Sequence, residues 1–105
     1  MSKLKVDVTT EGGVTVASPR GRIDSNTAPD FEEAFMPLAK DGAIDIRLDF
    51  SDVAFLSSAG LRVIVMASKA LKTRGQKLSI LSVPANVLEV LTISGLTTFI
   101  DVQAA

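Results

Sequence analysis

Phe55-Leu56-Ser57-Ser58-Ala59-Gly60-Leu61 is the stretch around which the rest of the chain can be read. It lies between a run with strand periodicity and the longest helical pattern in the sequence. Upstream, Ile44, Ile46, Leu48 and Phe50 alternate with Asp45, Arg47 and Asp49. That predicts a strand from Ala43 to Phe50 with one covered and one wet face. Ser51 to Ala54 is expected to be a short connector. Downstream, Ala59 to Arg74 predicts a helix. At about 100° per residue, Leu61, Ile64, Val65, Ala67 and Leu71 fall on or beside one arc. Arg62, Lys69 and Thr73 fall opposite, with Met66 beside them. The first N–H groups of a helix have no intrahelical partners, so Ser58 sits where a hydroxyl can cap them or a phosphate can be held.

Working outward, Leu4, Val6 and Val8 alternate with polar residues, Glu11-Gly12-Gly13 is turn chemistry, and Val14, Val16 and Ser18 alternate again. These runs predict a hairpin. The stretch from Ile23 to Asp30 starts the next helix, capped by Asn26 or Thr27, with Pro29 in its first turn and Thr27 and Asp30 at capping-box spacing. Phe31, Ala34, Phe35 and Leu38 repeat at helical spacing and should face the core, with Glu32 and Glu33 in solvent. Pro37 should kink the last turn or end the regular part near Met36, and Lys40-Asp41-Gly42 closes the segment. Gly75 is the expected residue just past the central helix. Lys77 to Val83 predicts a strand. Pro84 opens a third helix, with Val87, Leu88 and Leu91 inward and Ser94-Gly95 at its end. Thr98 to Val102 predicts a last short strand, with Gln103-Ala104-Ala105 frayed. The order β-β-α-β-α-β-α-β predicts a single α/β domain over residues 1–105. Its mixed sheet would have about five strands and helices mainly on one face.

Composition narrows the function. The chain has 105 residues, 47% hydrophobic, and a formal net charge of −1. That is enough for one core, and it carries no basic footprint for nucleic acid or a membrane surface. There is no histidine and no cysteine, so the commonest general base, the usual zinc ligands and the thiol nucleophile are missing. Asp24, Asp49 and Asp52 as a metal or acid–base cluster are disfavoured, since strand-face carboxylates are usually solvated. No cofactor, no metal and no catalytic residue are expected. Met1-Ser2-Lys3-Leu4-Lys5 does not read as a signal peptide, and the apolar runs are far short of a membrane span. A cytoplasmic monomer without membrane insertion is the expectation.

Three places in register resemble one family. Gly21-Arg22-Ile23-Asp24, followed by Thr27-Ala28, is similar to the G-x-[IL]-D…[ST]-A signature of STAS domains. Phe55 to Leu61 resembles their F-x-[DS]-S-[STA]-G-L segment. Leu91-Thr92-Ile93-Ser94-Gly95-Leu96 resembles their L-x-x-[ST]-G-L helix end. The spacing runs across nearly the whole chain, which looks like a stand-alone STAS protein of the anti-sigma factor antagonist type.

The resemblance implies a switch and not an enzyme. The unphosphorylated form would bind an anti-sigma factor that is also a serine kinase, freeing a sigma factor. Phosphorylation of Ser58 would end that binding, and a PP2C-type phosphatase would reverse the mark. Many members carry aspartate before the acceptor; here it is Ser57, which reads as a loop serine, with a competing acceptor as the alternative. The expected partner surface combines Asp24, Ser25, Asn26 and Thr27 with Ser57, Ala59 and Gly60 and with Arg62, Met66 and Lys69 on the helix. The rivals are a stand-alone STAS subunit of a lipid-transport ABC complex and a nucleotide- or small-ligand-binding sensor.

Overall fold

The computed structural model describes residues 4–41 and 45–105. Gly42, Ala43 and Ile44, the expected end of the first helix segment and start of the third strand, lie outside the described residues, as do Met1, Ser2 and Lys3. The strands are β1 (Lys5–Glu11), β2 (Val14–Ile23), β3 (Asp45–Asp49), β4 (Val53–Leu56), β5 (Leu78–Val83) and β6 (Asp101–Ala104). The helices are α1 (Ala28–Asp41), α2 (Ser58–Thr73) and α3 (Ala85–Ile93), and Leu96–Thr98 forms one 3₁₀ turn. The expected order holds, with one strand more.

The sheet runs β1-β2-β3-β5-β6, with β4 also paired to β2. β1 and β2 form the antiparallel hairpin, and every other pairing is parallel. β2 is long enough to serve two neighbours in succession. Val14 to Ala17 pair with β3, and Gly21 to Ile23 pair with β4. Ser51 and Asp52 turn the chain between them, with the Val53 N–H donating to the Phe50 carbonyl at 3.0 Å and the Gly21 N–H to the Asp52 carbonyl at 2.9 Å. Ser51 to Ala54 is therefore not a plain connector. Its second half is already strand, because the free edge of β2 beyond Ala17 needs a partner. Pro19, which has no N–H to donate, falls in the gap between the two pairings.

One face of the sheet is covered. Ile46, Leu48, Phe50 and Ile80 are buried, whereas Arg47 is exposed and Asp45 and Asp49 are half-exposed. In β2 the buried residues are Thr15, Ala17, Pro19 and Ile23, and Val14, Val16 and Ser18 lie half-exposed on the open face. That reverses the obvious reading of the valines. Register decides it, since Thr15 and Ala17 lie beside Ile46 and Leu48. In β1, Val6 packs against the core, as does Leu4 just before the strand, and Val8 is exposed.

Phe31 and Phe35 stack in the core with ring centroids 5.2 Å apart, and both are fully buried. α1 continues through Pro37 to Asp41 instead of ending near Met36. Pro37 and Glu33 lie on the solvent face, so the carbonyl that loses its helical partner can be hydrated. The buried residues of α2 are Gly60, Val63, Ile64, Ala67 and Leu71, with Leu61 and Val65 half-buried. The core arc is rotated from the expected one to bring Gly60 against the sheet. Gly75, at φ 73°, follows the helix as expected, and Gly95, at φ 82°, follows α3. The last strand starts later than expected. Gln103 and Ala104 are strand, not frayed, because β5 offers them an edge, and the Ala105 N–H donates to the Val83 carbonyl at 3.0 Å.

Candidate functional site

Two loops meet at one end of the sheet: the β2–α1 loop and the β4–α2 junction. In the first, Asp24 braces the turn. Its Oδ1 accepts from the Asn26 N–H at 2.9 Å and the Thr27 N–H at 3.1 Å. Its carbonyl accepts from the Ala28 N–H at 2.8 Å. The Asn26 N–H does most to hold the Asp24 carboxyl below its ordinary value; desolvation opposes it, and the Thr27 N–H, the Thr27 hydroxyl and the Arg22 guanidinium add to the lowering. The expected Thr27/Asp30 capping box does not form. Thr27 is buried, and its Oγ1 accepts from the Asp24 N–H at 2.9 Å and donates to the Arg22 carbonyl at 2.6 Å. Asp30 instead accepts from the Leu4 N–H at 3.3 Å. The threonine is thus a bolt inside the loop, holding the end of β2 against the start of α1.

At the second loop, the Ser57 N–H donates to the Ile23 carbonyl at 2.8 Å, which ties the junction to β2. Ser57, with extended φ −91° and ψ 171°, is the N-cap of α2. Its Oγ accepts from the Gly60 N–H at 3.3 Å, and its carbonyl accepts from the Leu61 N–H at 3.0 Å. The cap is therefore not Ser58. Ser58 is the first helical residue, exposed, and its hydroxyl makes no hydrogen bond among the described residues. Of two adjacent hydroxyls, one holds the helix and the other is unengaged.

Gly60 explains how closely α2 approaches the sheet. A Cβ added there would lie 2.6 Å from Ile23 Cγ2 and 2.7 Å from Leu56 Cδ1. Only a residue without a side chain lets the first turn of α2 sit down on β2 and β4. That seating fixes the height of Ser58 above the sheet.

The structure brings Ser25, Ser58, Ala59 and Arg62 together along one open groove between the starts of α1 and α2, with Pro29 and Glu32 on its α1 side. Asp24, Asn26 and Thr27 form the adjoining loop. Glu32 was legible only as a solvent-facing residue of the first helix, since nothing in the sequence relates it to Ser58. The Arg22 guanidinium lies 4.4 Å from the centroid of the Phe55 ring and 3.9 Å from Asp24, and the ring contact joins paired residues of β2 and β4, a pairing that the separate motifs do not disclose. Two expected members stand apart. Met66 is half-buried and packs against the core. Lys69 is three turns along α2, about 16 Å from Ser58 at 1.5 Å per residue, and lines a different cleft. Among the described residues, no acidic cluster is arranged to hold a metal. Asp49 accepts from the Ser51 N–H at 3.0 Å, and Asp52 lies 3.9 Å from Arg20. No helix among the described residues is long and apolar enough to cross a membrane.

A mixed sheet with helices on one face, presenting an exposed serine at a helix start, defines a small α/β domain. The STAS domain family matches residues 5–105, and the chain belongs to that family. It is similar to the anti-sigma-B factor antagonist of Bacillus subtilis (strain 168), with 33% identity over 101 residues, 96% of this chain and 92% of that protein. The anti-sigma-B factor antagonist of Staphylococcus aureus (strain NCTC 8325 / PS 47) is 30% identical over 100 residues, 95% of this chain and 93% of that one. The crystal structure of an anti-sigma factor antagonist from Mycobacterium paratuberculosis superposes with a TM-score of 0.87 at 24% identity, covering 97% of this chain and 86% of that one. The relatives are regulators named for the factor they oppose, and this chain too is a regulatory domain, not an enzyme.

Proposed function

We propose that this chain is an anti-sigma factor antagonist of the cytoplasm whose partner is a serine-kinase anti-sigma factor, and that Ser58 is the phosphorylated switch. The full-length similarity to anti-sigma-B factor antagonists supports the partner class. The single observation that carries the assignment of the switch is the division of labour between the two serines. Ser57 is committed to the Gly60 N–H, whereas Ser58 is exposed and unengaged. A kinase can take the Ser58 hydroxyl without undoing the helix cap, so Ser57 is not the competing acceptor.

The chemistry of the mark fits the place. A phosphate adds about −1.5 to −2 charge at neutral pH. At the first position of α2 that charge meets the positive end of the helix dipole and Arg62 one turn on, so the fold tolerates it. Across the groove, Glu32 adds a carboxylate to the same face. A partner fitted to a neutral hydroxyl then meets a strongly acidic surface that has to be desolvated. The proposed docking surface is the Asp24–Thr27 loop with Ser57, Ala59, Gly60 and Arg62. A PP2C-type phosphatase resets it.

The test is a titration of the Ser58→Ala and Ser58→Asp forms against the anti-sigma factor kinase captured from lysate by the alanine form. The aspartate form should bind at least about tenfold more weakly, equivalent to about 1.4 kcal/mol. In the kinase reaction, phosphate should appear on the wild type and on Ser57→Ala but not on Ser58→Ala. Equal affinities, or label on Ser57, would overturn the assignment. Capture of a transporter ATPase by both forms would place the chain in a lipid-transport complex instead.

A further inference from the structure

A second concave site lies away from the Ser58 groove. It is a cleft of about 780 Å³ between the C-terminal half of α2 and the β5–β6 edge of the sheet. Its apolar lining comes from Val65, Leu78, Leu96, Phe99 and Ile100. Leu78, Leu96 and Ile100 are buried, but Phe99 is 79% exposed. The 3₁₀ turn Leu96–Thr98 and the turn after it hold this ring in water beside the opening. Lys69 and Lys72 from α2 and Lys77 from the start of β5 also line the cleft, with Asp101 of β6 as the single acid. None of these four charges takes part in an ion pair among the described residues. Three unpaired ammonium groups about an apolar recess leave it basic, although the chain as a whole carries a net charge of −1.

Size and charge together select the occupant. The volume falls within the range of about 300–1,000 Å³ occupied by small-molecule sites, whereas a stable protein partner needs about 800 Å² of surface on each side. An apolar body can lie on Val65, Leu96 and Phe99 while an acidic head reaches the lysines. We propose that this cleft binds a small amphipathic anion, with an aromatic or aliphatic body and one carboxylate, sulfonate or phosphate head. The site is independent of the Ser58 switch, and the two stand or fall separately. Lys69 then belongs to ligand binding and not to the partner surface.

An amide-resolved NMR titration of the whole chain with anilinonaphthalene sulfonate tests this. The neutral phenylnaphthylamine, the same body without its acid, serves as the comparison. Saturable shifts should be confined to residues 65–77 and 96–101, and the neutral compound should bind at least about tenfold more weakly. The triple variant Lys69→Gln, Lys72→Gln, Lys77→Gln should lose the sulfonate by a similar factor while keeping an otherwise unchanged amide spectrum. Phe99→Ser should weaken both compounds. Diffuse shifts, shifts centred on the Ser58 groove, or equal affinity of the triple variant and the wild type would overturn the proposal.

Discussion

Replacing each of the two adjacent serines by alanine separates their roles. Ser57→Ala removes the oxygen that accepts the Gly60 N–H at 3.3 Å. Loss of such a cap costs about 0.5–2 kcal/mol. The bond is long for N–H···O, and Ser57 is only half-buried, so water can partly replace it. About 1 kcal/mol is the resulting expectation. In a domain of 105 residues, that lowers Tm by about 4 °C. Ser58→Ala removes an exposed hydroxyl with no intramolecular partner and should stay within about 0.5 kcal/mol of the wild type. Ser57→Asp keeps a cap acceptor and adds negative charge beside the helix dipole, so it should be at least as stable as the wild type. Urea unfolding at neutral pH followed by circular dichroism reads all three as shifts of the midpoint at constant slope. Equal losses from the two alanine substitutions, or a larger loss from Ser58→Ala, would refute the division of labour and the choice of acceptor with it.

Two further outcomes test the frame around the site. Gly60→Ala places a Cβ 2.6 Å from Ile23 Cγ2 and 2.7 Å from Leu56 Cδ1. Overpacking of about 1–3 kcal/mol, offset by about 1 kcal/mol of helix propensity, should leave a net loss of up to about 2 kcal/mol in thermal melts; a gain in stability would show that α2 is not seated so closely. Asp24→Asn keeps an oxygen for the Asn26 and Thr27 N–H groups but removes the charge. Because the folded-state value of Asp24 lies below its ordinary 3.8, its ionisation stabilises the fold above that ordinary value, and the contribution is lost as pH falls through the lower folded value. The wild type should therefore exceed Asp24→Asn in stability at neutral pH and converge with it in acid, as read by unfolding midpoints across that range; a constant gap would show that the charge plays no part.

Much of this protein is written locally. Alternation in Ile46, Leu48 and Phe50, helical spacing in Phe31 and Phe35, and the glycines at 75 and 95 each depend only on neighbours in the chain, so fold class, element order and the position of the central turn can be read from the sequence. Where the alternatives differ by long-range pairing, local pattern does not decide. Val16 looks like a core residue until β3 registers against β2 and turns Thr15 and Ala17 inward. Val53 and Ala54 look like a loop until the vacant edge of β2 recruits them. Ser57 and Ser58 are chemically identical and adjacent, and either can cap a helix. Only the seating of Gly60 against Ile23 and Leu56 sets the phase of α2 so that Ser57 turns back to the Gly60 N–H and Ser58 outward. The sequence by itself determined the family of folds and the position of the turn to which the switch is assigned by proposal. The tertiary structure alone decided which hydroxyl is engaged, that Glu32 and Arg62 share its groove, and that Lys69 does not. Those relations join residues far apart in the chain, or depend on a helix phase that packing sets and periodicity leaves open.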